Sequence, residues 1–157
     1  MSGLEAMYQE LILDHAKHPE GKGDPARHPF THHELNPSCG DEITMGITIT
    51  DGHVSGLEWD GDGCSISMSS ASMMSGLLLG QTVEDAQARI DEFRDMMRSR
   101  GKVEPSEALG DAAAFQNTAK YVMRVKCAML AWVAFEADLK EASVNEQGPS
   151  NESASSR

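Results

Sequence analysis

Cysteine is scarce in this chain: three residues in 157, at positions 39, 64 and 127. An odd number spread this widely excludes a fully paired disulfide framework. With no two cysteines close together, the local signatures of thioredoxin-like exchange and of a zinc finger are both missing. Reduced thiols in the cytoplasm fit best. Basic side chains are also the minority, 13 against 25 acidic ones, for a formal charge of −12. That balance argues against phosphate-backbone binding, and so against nucleic acid as the main partner. The basic residues cluster at Arg94, Arg98, Arg100 and Lys102, then at Lys120, Arg124 and Lys126. They read as solvated helix faces or as a docking surface for an acidic partner.

No apolar run reaches the roughly 18 residues that a membrane helix requires, and "ASMMSGLLLG" falls well short. The opening "MSGLEAMYQELILDH" is acidic and amphipathic, without a basic stretch followed by an apolar core and a cleavage site. No membrane role and no secretion are expected. Six histidines are present, but they form no HExxH pair, and no serine sits in a GxSxG elbow. The "DGDG" at 60–63 lacks the twelve-residue loop and terminal glutamate of a calcium site.

What is present suits one soluble domain with a real core. Hydrophobic residues are 39% of the chain and charged residues 24%. Leu4, Met7, Tyr8, Leu11, Ile12 and His15 recur at helical spacing over 4–16. The segment 19–37, rich in proline, glycine and histidine, reads as a long irregular surface connection. Residues 43–50 and 53–59 alternate as two strands around an Asp-Gly turn, and 32–38 supply a short third strand.

A buried helix is expected over 64–79, ended by Gly80, and a second from Thr82 to about Arg100. Residues 101–110 form a break. Residues 111–140 read as mostly helical, interrupted near Asn117 and Thr118. The order of elements predicts an α+β fold, a small antiparallel sheet of about three strands packed with several helices. The domain is expected to span 1–141. The stretch 142–157 lacks large apolar residues and is expected to be a disordered tail.

The three cysteines differ in setting. In "NPSCGDE" a flexible glycine separates Cys39 from Asp41. A thiolate and a carboxylate are both zinc ligands, and two more would complete a tetrahedron. The alternative is a lone cysteine beside a turn aspartate. Cys64 follows "GDG" at a helix start, where backbone N–H groups and the helix dipole suit a metal-bound or sulfur-carrying thiolate. A small apolar side chain closing the first turn is the plainer reading. Cys127 lies inside a helix, one turn from Met123 and Leu130. Taken alone it reads as a core cysteine, although Arg124 and Lys126 nearby would support a thiolate.

The motifs "NPSCGDE", "GDGCSISMSSASMM" and "RVKCAMLAW", in this order, together resemble the SufU-type branch of the IscU/NifU-like family of iron–sulfur cluster assembly proteins. The similarity runs over about residues 4–140. It implies the fold of that family and a metal site of Cys39, Asp41, Cys64 and Cys127. It also implies a SufS-type, pyridoxal-phosphate-dependent cysteine desulfurase as partner, with downstream iron–sulfur assembly proteins beyond it.

Lys126 stands where the family's IscU scaffolds carry a histidine before the last cysteine, and the stretch between Cys64 and Cys127 is long, as in SufU-type proteins. Both departures favour a zinc-dependent sulfur acceptor that activates the desulfurase in a sulfurtransferase-like role. Cys39 is then the catalytic acceptor. The alternatives are a scaffold that assembles and transfers a [2Fe–2S] cluster, with the iron–sulfur cluster in place of zinc, and a purely structural zinc domain.

Overall fold

The computed structural model describes residues 3–147, with side chains through 144. Helix α1 (Gly3–Lys17) leads into a three-stranded antiparallel sheet of order β1-β2-β3, formed by β1 (Phe30–Asn36), β2 (Asp41–Thr50) and β3 (His53–Asp62). Helices α2 (Ser65–Leu78) and α3 (Val83–Arg98), two 3-10 segments (Glu107–Phe115 and Thr118–Lys120) and α4 (Val122–Gln147) follow. This is the expected α+β arrangement.

The sheet forms where β-branched residues alternate. Ile43, Met45 and Ile47 of β2 and Val54, Leu57 and Trp59 of β3 are buried against the helices. The Asp51-Gly52 turn takes positive φ at both residues, the twist that matches a tight hairpin. Helix α4 packs across β1 and β2 and along α2, and α1 packs on α2. At the centre Trp132 stacks on Phe93 with ring centroids 4.0 Å apart, and Phe115 meets Phe93 edge-on at 6.1 Å.

Four boundaries differ from the sequence reading. First, β1 is the third strand expected over 32–38, set two residues earlier at 30–36, which ends the irregular connection at 29 rather than 37. Its alternating burial falls on Thr31, His33 and Leu35 outside and on Phe30, His32, Glu34 and Asn36 inside. Three of those four inner residues are polar, so no apolar period marked the strand. Second, "DGDG" continues β3, with Asp60, Gly61 and Asp62 pairing Thr44, Ile43 and Glu42.

Third, the stretch 111–120 is 3-10 rather than α-helical, with a turn at 116–117 where the interruption was expected; the 3-10 segment starts at Glu107 inside the expected break and is broken at Gly110 (φ 51°, ψ −134°), and extended Tyr121 resets the direction before α4. Last, α4 carries on past 141 to Gln147. The tail expected from 142 is therefore helical through 147, and the remainder of that expectation, 148–157, lies outside the described residues. On α1 only part of the anticipated stripe is covered: Ile12 and His15 are buried, while Leu4 and Met7 stay exposed.

Candidate metal centre

The β1–β2 hairpin carries the first half of the site. Asn36 ends β1 and pairs with Asp41, which opens β2. The loop between them is tied down by Asn36, whose carbonyl accepts from Gly40 N (2.8 Å) and Cys39 N (3.3 Å) and whose Oδ1 accepts from Ser38 N (3.1 Å). Gly40 closes the loop at φ +77°, in the left-handed region that a side chain resists. This turn aims Cys39 and Asp41 to one side.

The second half comes from the start of α2. Cys64 occupies the N-cap of that helix. Its N–H donates to Asp41 Oδ1 at 3.2 Å and its thiol to Asp41 Oδ2 at 3.2 Å. Gly63 makes this approach possible, because a Cβ there would stand 2.9 Å from Asp41 Cγ. Ser67, one turn along α2, donates a short hydrogen bond to the same Oδ2.

The last contribution is from α4, where Cys127 Sγ lies 3.4 Å from Cys39 Sγ. Ligand atoms of Cys39, Asp41 and Cys127 fall within 4.8 Å of one another, and Cys64 joins them through Asp41. All four residues singled out in the sequence are therefore brought together.

Their environments are unequal. Cys39 and Cys64 are exposed and Cys127 is buried. Burial, followed by the neighbouring Cys39 and Cys64 thiols, pushes the Cys127 thiol well above its ordinary range. Asp41 is only 4% exposed. Burial works against its charge, but hydrogen bonds from Ser67, Cys64 and Cys39 outweigh that and hold the carboxyl below its ordinary value. A charged carboxylate grouped with the Cys39 and Cys127 thiols, and bonded by the Cys64 thiol, is a donor set for a four-coordinate zinc ion, and a cysteine-rich one for an iron–sulfur cluster. The residues fit a metal centre of either kind.

Ser67 and Asn36 escaped the sequence reading. The side-chain amide of Asn36 points at Cys127 Sγ from 4.0 Å. The available signal for Ser67 was its place three residues after the cap residue, which faces it back over the helix start. Arg124, one turn before Cys127, lays its guanidinium over the Tyr121 ring at 5.0 Å. Both help to line a cavity of about 470 Å³ that also touches Tyr8, Ile12, Ser65 and Ile66. Lys126 is exposed.

The histidines serve elsewhere. His15 bonds Ser72 Oγ at 2.7 Å and Asp111 Oδ2 at 3.0 Å. Despite the Ser-His-Asp grouping, Ser72 is fully buried and accepts the N–H of Glu20, so it ties α1 to α2 and is no nucleophile.

Residues 7–128 match the family described as NifU-like N terminal domain. The chain belongs to the IscU/NifU-like iron–sulfur cluster assembly family. Among curated relatives, the zinc-dependent sulfurtransferase SufU of Bacillus subtilis (strain 168) is 37% identical over 135 residues, covering 86% of this chain and 90% of the relative. The iron–sulfur cluster assembly scaffold protein IscU of Thermotoga maritima is 36% identical over 140 residues, covering 89% and 97%.

Among solved structures, a putative iron–sulfur cluster assembly scaffold protein for the SUF system from Fervidobacterium islandicum AW-1 superimposes with a TM-score of 0.77 at 30% identity, covering 87% of this chain and 99% of that one. The N-terminal part of a NifU-like protein from Brucella abortus, at 22% identity and a TM-score of 0.79, shares the fold. This IscU/NifU-like chain thus carries SufU-type likeness on a cysteine-aspartate centre that fits a metal.

Proposed function

We propose that this protein accepts sulfur from the persulfide of a SufS-type cysteine desulfurase, on Cys39, for iron–sulfur cluster biogenesis. One observation carries the choice of acceptor: of the two thiols that face each other across 3.4 Å, Cys39 is exposed and Cys127 is buried. Of that pair Cys39 is the one open to a docking partner, while Cys64, also exposed, is held at the start of α2 by its bonds to Asp41.

Cys39, Asp41, Cys64 and Cys127 hold zinc. When bound, zinc keeps thiolates deprotonated and neutralises their charge, which also lowers their nucleophilicity. Transfer therefore requires Cys39 free of its partners. The Cys39 thiolate attacks the terminal sulfur of the desulfurase persulfide, and a new S–S bond forms on Cys39. The old S–S bond breaks and the desulfurase cysteine leaves as a thiolate. One sulfur atom moves, and no outside oxidant or reductant is needed. Asp41 keeps hydrogen bonds from Ser67 and Cys64 N, so it retains partners of its own when the site opens.

Support for the zinc reading comes from the likeness to the zinc-dependent SufU sulfurtransferase and from exposed Lys126 beside Cys127, where the family's scaffolds have a histidine. A scaffold role is favoured by the likeness to the Thermotoga protein named as one. The two readings separate on metal content and turnover. Protein purified without added metal is expected to hold about one zinc per chain and to stimulate the desulfurase, losing stimulation on zinc removal and regaining it on zinc return. Iron with cluster absorbance, and anaerobic transfer of that cluster to an apo-protein, would establish the scaffold instead. Fully metallated protein without any stimulation would leave only a structural zinc domain.

A further inference from the structure

A second group of ligating side chains stands on the seam between β1 and α4, away from the cysteines. His32 of β1 places Nδ1 2.8 Å from Asp138 Oδ1 and 3.7 Å from Glu141 Oε1 of α4. One ligand atom from each of the three lies within 4.8 Å of the others. Asp138 is eleven positions beyond Cys127 on the same helix, roughly 16 Å at the α-helical rise. The two groups are separate.

Asp138 makes this group unusual. Its side chain is 0% exposed, and its Oδ2 is alone among the buried side-chain nitrogens and oxygens of the described residues in having no hydrogen-bond partner. Burial pushes its carboxyl up to about 7, against the opposing effect of the His32 hydrogen bond. A buried carboxylate with a free oxygen, one imidazole partner and a second carboxylate, Glu141, close by is costly until a cation joins it.

The geometry suits one. Asp138 and Glu141, three apart, share a face of α4. The separations of 2.8 and 3.7 Å bracket the roughly 3.0–3.4 Å between neighbouring ligand atoms around a four- or six-coordinate ion with bonds of about 2.1 Å. His32 and Glu141 are 37% and 48% exposed at the side chain, so the mouth is open to solvent while Asp138 forms the floor. The chain's net charge of −12 also draws cations toward its surface.

We propose that His32, Asp138 and Glu141 form a second, thiol-free cation site that takes a divalent first-row metal ion and pins β1 to α4. A mixed imidazole and carboxylate set suits ions of intermediate hardness rather than the thiolate-seeking ones. On binding, Nδ1 of His32 gives up its hydrogen bond to Oδ1, with the ring proton held on Nε2, and the ion joins the two elements that also carry the Cys39 loop and Cys127.

Titration of the full chain with Co²⁺ tests this, because cobalt on cysteine shows thiolate charge-transfer absorption and cobalt on nitrogen and oxygen does not. The expected result is one equivalent bound without charge-transfer absorption, raising the melting temperature. His32→Gln and Glu141→Gln, both at exposed side chains, should each weaken that equivalent by about tenfold or more and leave any charge-transfer bands unchanged. Asp138→Asn, which keeps the acceptor for His32, should weaken it as well. Absence of a thiolate-free equivalent, or its retention at wild-type affinity in the His32 and Glu141 variants, would overturn the proposal.

Discussion

Ser67 does more at the metal centre than its place in a serine-rich helix suggests. Its hydroxyl bonds Asp41 Oδ2, the oxygen that also meets the Cys64 thiol. Removing an oriented outer partner of a metal-binding carboxylate ordinarily weakens metal affinity by 10- to 100-fold. Ser67→Ala should therefore lower zinc affinity by about 10-fold, as read by chelator competition.

The same change has a pH signature in metal-free protein. Asp41 is held below its ordinary value of 3.8, so its contribution to stability is present above that value and lost as the pH falls through the lower folded value. Ser67→Ala should shrink that acid-side loss, measured by urea unfolding across pH 2 to 6. Equal acid sensitivity in both proteins would show that the serine does not hold the charge.

The three cysteines of the candidate centre were legible in the sequence because cysteine is rare here and each stands in a distinct local setting. Ser67 was not, because five serines between 65 and 72 look alike until the hairpin and helix meet.

Helices α2 and α4 are joined by a polar contact inside an apolar seam. Ser70 Oγ donates to the Ala128 carbonyl at 2.6 Å and accepts from Trp132 Nε1 at 2.9 Å. Ala128 and Trp132 lie one and five residues after Cys127, so this contact sets the rotation of the helix that presents the thiol. Ser70→Ala orphans the buried indole N–H and should cost about 1–3 kcal/mol, measured by chemical denaturation. A loss near zero would mean that the seam repacks without the bond.

Regular periodicity identified α1, β2, β3, α2 and α3. The third strand, β1, was expected because a lone hairpin needs a partner and not from periodicity: its inward His32 and Asn36 are polar because they serve the seam with α4 and the cysteine loop. Nor did periodicity separate 3-10 from α-helix over 111–120, where small residues at close apolar spacing suit either and only the backbone at Gly110 and Tyr121 decides.

On the scale of the molecule, the fold collects three sequence-distant segments at one end. The β1–β2 hairpin, the start of α2 and the first turns of α4 meet there, each fixed by its own packing: β2 in the sheet centre, α2 against α1 and α4, and α4 across the sheet. Exposed apolar side chains surround that end, among them Leu35, Tyr121, Val122 and Met123, beside the basic residues Arg124 and Lys126. A surface of this kind suits a protein partner. No helix among the described residues is long and apolar enough to cross a membrane.

Intact-mass and peptide mass spectrometry after incubation with the desulfurase and cysteine bears most directly on Cys39 as the acceptor. The wild-type chain should gain one transferred sulfur mapping to Cys39. Cys39→Ala, which leaves Asp41, Cys64 and Cys127 in place, should gain none and should fail to stimulate the desulfurase. Transferred sulfur on the Cys39→Ala chain at the wild-type level would contradict the account.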